Sequence, residues 1–247
     1  MADTQQSSDP RVADLVQAGE VRVALFPPQF SKDAATGALK GMWVEVAREL
    51  GAHIGVALEV IELANPGELA ACLSSGACDI GAMGFDPTRA PLVGGFTPPF
   101  MRVDYSFLVP AGSPVCSSAD VDRPGFRISA VSNHSSTLAL SRMLKHAEQF
   151  GTDTPEAAFE LLRSGRVDAW ASIRPTLLEF AAELPGSRVL ADSYGANLPA
   201  LVVPKGQDAR LAYLSDFVEA AKASGLMQRA IERNGQAGYT TVPPGKL

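Results

Sequence analysis

Cysteine is scarce: Cys72, Cys78 and Cys116 make an odd number with no C-x-x-C. That usage speaks against a disulfide framework and a cysteine-based zinc site, and leaves the three as small buried hydrophobes. No run or stripe of Lys and Arg occurs and the formal net charge is -6, so nucleic acid is not an expected partner. No apolar run approaches the length that spans a bilayer. The N-terminal stretch MADTQQSSDPRVADLVQAGE lacks the basic and apolar regions of a secretory leader. A cytoplasmic chain, or one whose leader was replaced by Met1, is expected. No Ser/His/Asp triad, phosphate-cradling glycine loop or metal cluster can be assembled, so no catalytic residue, cofactor or metal is expected. Aromatics are sparse at 7%, which gives weight to any near a site.

The chain does have a regular alternation of strand and helix signals over 247 residues, enough for one large domain or two modest ones. VRVALF (21–26) reads as a strand; Trp43, Val46, Ala47 and Leu50 then recur at helical spacing, with Gly51 closing that helix. NPGE (65–68) reads as a helix start, and CDIGAMGF (78–85) as the next strand. The same elements follow again. FRISAV (126–131) is a strand, and Leu140, Met143, Leu144 and Ala147 form a helical face. A Thr-Pro-initiated helix (154–165) leads to the strand VDAWAS (167–172). Leu177, Phe180, Ala181 and Leu184 make another helix, RVLAD (188–192) a strand, and two helices close the chain. Such alternation predicts right-handed βαβ units and mainly parallel sheets flanked by helices, an α/β fold.

An internal echo sharpens this. CLSSGACDIGAM (72–83) aligns without gaps on LLRSGRVDAWAS (161–172), both carrying Ser-Gly-x-x-Asp between a helix and an apolar strand. Two similar α/β lobes are expected. Ligands of open α/β sheets bind outside the carboxyl ends of the strands, here the loops after Phe26, Phe85, Val131, Ser172 and Asp192. In GFDPTRAPLVGGFTPPF (84–100), Asp86 and Pro87 read as an N-cap and first helical position, which puts Arg89 in the first turn. A cation is a poor partner for that end of a helix dipole unless an anion sits beside it. In SNHSST (132–137), a helix opening directly after a strand offers backbone N–H groups to an anion; simple capping by Ser135 or Ser136 is the other reading.

Together these segments resemble the extracytoplasmic solute-binding proteins of ABC transporters, in the polar amino-acid-binding family 3. LKGMWVEVARELGAHIGV resembles the family's glycine–apolar–acid helix, with Glu45 in place of Asp. DPTRAPLVGGFTPPF resembles its Thr-x-Glu-Arg…Phe-Ser-x-Pro-Tyr signature, with one extra residue at Gly94–Gly95. DVDRPGFRISAV, RSGRVDAWAS, LVVPKG and AAKASGLMQRAIER resemble its later segments in order. The resemblance implies the two-lobed type II periplasmic-binding-protein-like fold, closing over a ligand by hinge motion. One lobe would be 1–104 with 198–247, the other 105–197.

It implies further that Arg89 anchors the ligand's carboxylate, by planar pairing. Gly84, Phe85 and Asp86 around it, and Phe26 after the first strand, would complete the first-lobe contacts. Asn133 and His134 stand where the family has Gly followed by Ser or Thr, and Ser135 would donate beside them. The family places an Asp for the ligand's α-ammonium five residues after the position of Asp168; here that residue is Ile173, followed by Arg174. Arg174 reads as a second anion contact or as a helix-start arginine facing solvent, and Asp86 or Glu45 could supply the missing negative charge. The implied partners are a small carboxylate ligand and an ABC transporter permease, with a monomeric chain and a periplasmic location. A dehydratase of the prephenate or arogenate type on the same fold, and a cytoplasmic sensor module, are the rival readings. The first needs a cleft acid, and SIRPT (172–176) offers none.

Overall fold

Strand and helix alternate along almost the whole chain. The structure is a computed structural model and describes residues 6–27, 29–64, 66–84, 91, 93–132, 134–235 and 237–245. In chain order, α1 (Ala13–Ala18), β1 (Glu20–Leu25), β2 (Ser31–Lys32), β3 (Leu39–Lys40), α2 (Met42–Ile54), β4 (Ala57–Glu62), α3 (Leu69–Ser75), β5 (Ile80–Gly84) and β6 (Gly95–Phe96) come first. Then come β7 (Met101–Val109), β8 (Arg127–Val131), α4 (Ser135–Met143), β9 (Glu148–Thr152), α5 (Pro155–Arg163), β10 (Ala169–Ile173), α6 (Arg174–Ala181), β11 (Arg188–Val189) and β12 (Gly195–Asn197). β13 (Pro199–Val203), α7 (Asp208–Ala223) and α8 (Leu226–Arg233) follow.

The chain divides into two compact units: Met1–Met101 with Leu198–Gly235 and Thr240–Leu247, and Arg102–Asn197 with Gln236–Tyr239. The first carries a sheet ordered β4-β1-β5-β13-β6. β1 runs parallel to β4 and β5, with Val23 beside Val60 on one side and Ile80 on the other. β13 is antiparallel to β5 and β6, so the sheet is mixed around a parallel centre. Ala24, Leu69, Cys72, Leu73, Cys78, Met83, Val93 and Val202 form a buried cluster against α3. The apolar stripe of α2 is buried along its length, and Trp43 packs edge-on against Phe100 at 4.9 Å.

The second unit's sheet runs β11-β7-β10-β8-β9, with β12 also on β7. β9, β8 and β10 are parallel, whereas β7 is antiparallel to β10, with Trp170 opposite Leu108. Alternate residues of the central strands serve two cores. Phe107, Val109, Ala169 and Ala171 join Leu140 of α4 on one face, while Leu108 and Trp170 join Phe159 of α5 and Leu177 of α6 on the other. A strand buried on both faces reads as continuous hydrophobicity, which is how AWAS reads.

Two local expectations need correction. Gly51 lies inside α2; the helix runs on to Gly55, whose φ of +82° ends it. A Cβ on Gly51 would stand 3.3 Å from the Val56 carbonyl, so this glycine serves the close return into β4, a strand missing from the sequence reading. Ala147 is not on a helix. α4 stops at Met143 because Asp122 gathers the next amides, those of Lys145 (3.0 Å), His146 (2.8 Å) and Ala147 (3.0 Å), and turns the chain into β9.

Candidate ligand-binding site

Phe26 follows the end of β1, is half-buried, and packs against the first unit's cluster. The loop it opens is organised by Gln29, which the sequence reading missed. Buried Gln29 accepts the Phe26 amide at Oε1 (3.0 Å) and donates from Nε2 to the carbonyl of Ala82 on β5 (2.8 Å). The two strand ends are thus tied together. Gly41 allows this: its φ is +131°, and a Cβ there would stand 2.9 Å from the Gln29 carbonyl. A lone glutamine in a Pro-rich turn carries no sequence signal of such a role.

Gly84 is the last residue of β5, half-buried and opposite Pro199. Phe85, Asp86 and Arg89 lie outside the described residues, as does Asn133. Glu45 is engaged elsewhere: its carboxylate takes Asn234 Nδ2 at 2.8 Å and Arg233 Nη2 at 2.7 Å, joining α2 to α8.

At the end of β8, His134 is the N-cap of α4 in extended conformation, and its side chain makes no capping bond to the helix. The ring Nδ1 lies 2.8 Å from Ser136 Oγ, and burial pushes the imidazole below its ordinary value of 6.5. Capping by Ser135 or Ser136 is not seen either; His134 occupies the cap, Ser135 is half-buried and Ser136 buried. By contrast Thr154 caps α5 through its hydroxyl, which accepts from the Ala157 amide at 3.2 Å. The first turn of α4 therefore presents backbone N–H groups without a side-chain acceptor among the described residues. Tyr194 buttresses it: its hydroxyl donates to the Ser136 carbonyl (3.2 Å), and its ring packs 4.8 Å from Phe107. Burial raises the Tyr194 phenol, keeping it a neutral donor.

After β10 come Ile173 and Arg174, the latter the first residue of α6. The Arg174 guanidinium donates to three carbonyls: Leu190 (2.9 Å), Ala191 (3.0 Å) and Asp192 (2.9 Å). Ser106 Oγ lies 3.0 Å from two of the same oxygens, those of Leu190 and Asp192. The Asp192 carboxylate in turn accepts from the Ser118 amide (2.8 Å) and hydroxyl (2.6 Å). Arg174 faces the chain's own backbone, an arrangement neither expected reading of this residue included.

Among the described residues no three His, Cys, Asp or Glu side chains are grouped as metal ligands, and no helix is long and apolar enough to cross a membrane.

Comparison with known proteins fits this architecture. Residues 21–237 match the family model of the bacterial extracellular solute-binding proteins, family 3. No curated protein matches the sequence. Among solved structures, a protein described as the binding component of an ABC transporter from Wolinella succinogenes, in complex with lysine, is 27% identical. The match covers 87% of this chain and 95% of that one, at a TM-score of 0.73. The solute receptor for L-cysteine of Neisseria gonorrhoeae is 24% identical over 90% and 92% of the chains, at 0.67. A reconstructed ancestral amino-acid-binding protein, a precursor of cyclohexadienyl dehydratase, is 21% identical over 90% and 97%, at 0.69. Both sheets, their mixed topology and the matched span place the chain in one group: it belongs to family 3 of the bacterial extracellular solute-binding proteins.

Proposed function

We propose that this protein binds a small carboxylate-bearing solute, an amino acid or a related organic acid, and presents it to the permease of an ABC transporter. The observation that carries the reading is the uncapped first turn of α4 at the carboxyl end of β8, a ready donor set for an anion. On the first unit, β5 ends at Gly84 and leads into the segment holding Arg89, which we assign as the carboxylate anchor. Phe26, Phe85, Asp86, Asn133, His134 and Ser135 complete the proposed contacts. The functional lobes are taken as 1–104 with 198–247, and 105–197. Arg174, engaged by three carbonyls, is placed as the residue that holds the 190–192 segment.

Ile173 gives the site its bias. The half-buried isoleucine stands where relatives with an α-ammonium contact carry an acid, and Glu45 is already paired with Arg233 and Asn234. A ligand with a free carboxylate and either no amine or a masked one suits these residues best. The same isoleucine disfavours a dehydratase, which needs a proton donor there.

A thermal-shift screen of amino acids, keto acids and small dicarboxylates tests this. A ligand selective for the folded state adds about 2.7 kcal/mol at a hundredfold excess over Kd. The expected result is a shift with carboxylates lacking the amine, lost in Arg89→Ala while that variant's ligand-free melting is unchanged. Undiminished affinity in Arg89→Ala removes the anchor assignment.

A further inference from the structure

We infer that Cys72 and Cys78 are the two halves of a disulfide that closes when the chain folds in an oxidising compartment. The inference stands apart from the ligand reading above. Both thiols are in the same apolar cluster of the first unit, Cys72 on α3 and Cys78 just before β5. Gly76, at φ +72°, ends α3 and turns the chain back on itself. The amides of Ala77 and Cys78 then return to the carbonyl of Cys72, at 3.1 and 3.4 Å. Both side chains are buried there, Cys72 8% and Cys78 1% exposed.

The second unit repeats the geometry with other side chains. In the gapless alignment Cys72 corresponds to Leu161 and Cys78 to Val167. The amides of Arg166 and Val167 return to the Leu161 carbonyl at 3.0 and 3.3 Å, and Leu161 and Val167 pack into one cluster. The fold thus brings these two positions into one apolar cluster in both units. In the second unit an aliphatic pair fills them; in the first, two thiols do. No third metal-ligating side chain joins the pair among the described residues.

The step is thiol–disulfide exchange with an external disulfide, either a small-molecule disulfide or an oxidising thiol–disulfide protein. One cysteine thiolate attacks the oxidant's S–S bond and releases one thiol. The second attacks the resulting mixed disulfide and releases the other. The chain loses two electrons and two protons, and the oxidant gains them as two thiols. Extracellular proteins meet such oxidants, and this family is extracellular. Burial, and then the contact with Cys72, push the Cys78 thiol well above its ordinary range, so the folded reduced pair reacts slowly. Closure belongs to the folding chain. The bond would staple α3 to β5, the strand that ends at Gly84 before the Arg89 segment.

The test is refolding of the full chain from denaturant in a reduced/oxidised glutathione buffer, followed by denaturing alkylation and mass spectrometry. Cys116→Ser removes the exposed third thiol and is refolded in parallel. Expected is a fall from three alkylated thiols to one in the natural sequence, and from two to none in the variant. The tryptic fragment 49–89, which holds both cysteines, should be lighter by two hydrogens with no added glutathione. Natively refolded protein with Cys72 and Cys78 both alkylated, both capped by glutathione, or joined to Cys116 overturns the inference.

Discussion

Arg127 grips Asp168 with its backbone and its side chain together. The Arg127 amide and Nε lie 2.8 and 3.1 Å from one carboxylate oxygen, Nη2 lies 2.9 Å from the other, and the Asp168 amide returns to the Arg127 carbonyl at 2.8 Å. The first unit repeats the arrangement. Arg22 meets Asp79 through its amide (2.9 Å), Nε (3.0 Å) and Nη2 (2.8 Å), and the Asp79 amide returns at 2.9 Å. The aspartate of each Ser-Gly-x-x-Asp motif is therefore a clamp on the preceding parallel strand, the same device used twice.

The two clamps should differ in energy. Asp79 is only 13% exposed and also lies near the buried Arg210, whose Nη1 is 3.9 Å from it; Asp168 is 35% exposed and is paired with Arg127. Removing one half of a buried ion pair costs about 3–5 kcal/mol, whereas a more exposed one is screened by water. Asp79→Ala is expected to lose about 3 kcal/mol and Asp168→Ala about 1 kcal/mol in urea unfolding. Equal losses would mean that Arg210 contributes nothing to the difference.

Gly94 and Gly95 should separate sharply. A Cβ on Gly94 would sit 2.1 Å from the Pro204 carbonyl oxygen, which is backbone and cannot step aside. On Gly95 it would meet Leu211 Cδ2 at 2.5 Å, the free end of a side chain that can rotate. Gly94→Ala is expected to cost about 3 kcal/mol and Gly95→Ala under about 1 kcal/mol. A thermal melt of each variant is sufficient, and a reversed order would refute the close approach.

These contacts mark the limits of what the sequence carries. Apolar periodicity, Pro-initiated helices and the duplicated Ser-Gly-x-x-Asp were enough for two α/β lobes, because each rests on neighbours in the chain. Of the clamps only the acid half was legible; Arg22 and Arg127 lie far from their partners and look like ordinary strand-edge cations. β9 was hidden because the residue that ends α4, Asp122, is more than twenty positions upstream. The antiparallel members of both sheets, β7 and β13, depend on how the chain leaves and re-enters a unit, which no local pattern records. Of the candidate site, the strand-end positions of Phe26, His134 and Arg174 followed from alternation alone. Their partners Gln29, Tyr194 and the carbonyls of 190–192 did not.

Arg174 tests the division between ligand contact and support. Its side chain is 18% exposed, and each hydrogen bond from a charged donor is worth about 1.5–3 kcal/mol. If it holds the 190–192 segment, Arg174→Ala lowers stability by about 2–3 kcal/mol. Affinity should move less than it does for Arg89→Ala, measured by calorimetry with whichever carboxylate the screen returns. Unchanged melting with abolished binding would move Arg174 into the ligand shell.

The pH dependence of stability should fall in two windows, both in the same direction. Burial lowers the His134 imidazole from 6.5, so the unfolded chain takes up its proton first as pH falls. His134 thus contributes stability that is complete above 6.5 and is lost as pH drops through its depressed folded value. The second window opens lower. Asp168, held by the Arg127 guanidinium, and Asp122, held first by the Ala147 and His146 amides, both lie below their ordinary 3.8; Glu219, paired with Lys222, lies below 4.5. Each favours the fold above those ordinary values and gives up its share as pH falls beneath them. Melting temperatures from pH 8 to pH 3 should therefore decline once below 6.5 and again below about 4. His134→Asn should flatten the first decline and leave the second, while Asp122→Asn should shrink only the second. A first decline that survives in His134→Asn would overturn this assignment. The half-buried imidazole at the head of α4 would then have no part in it.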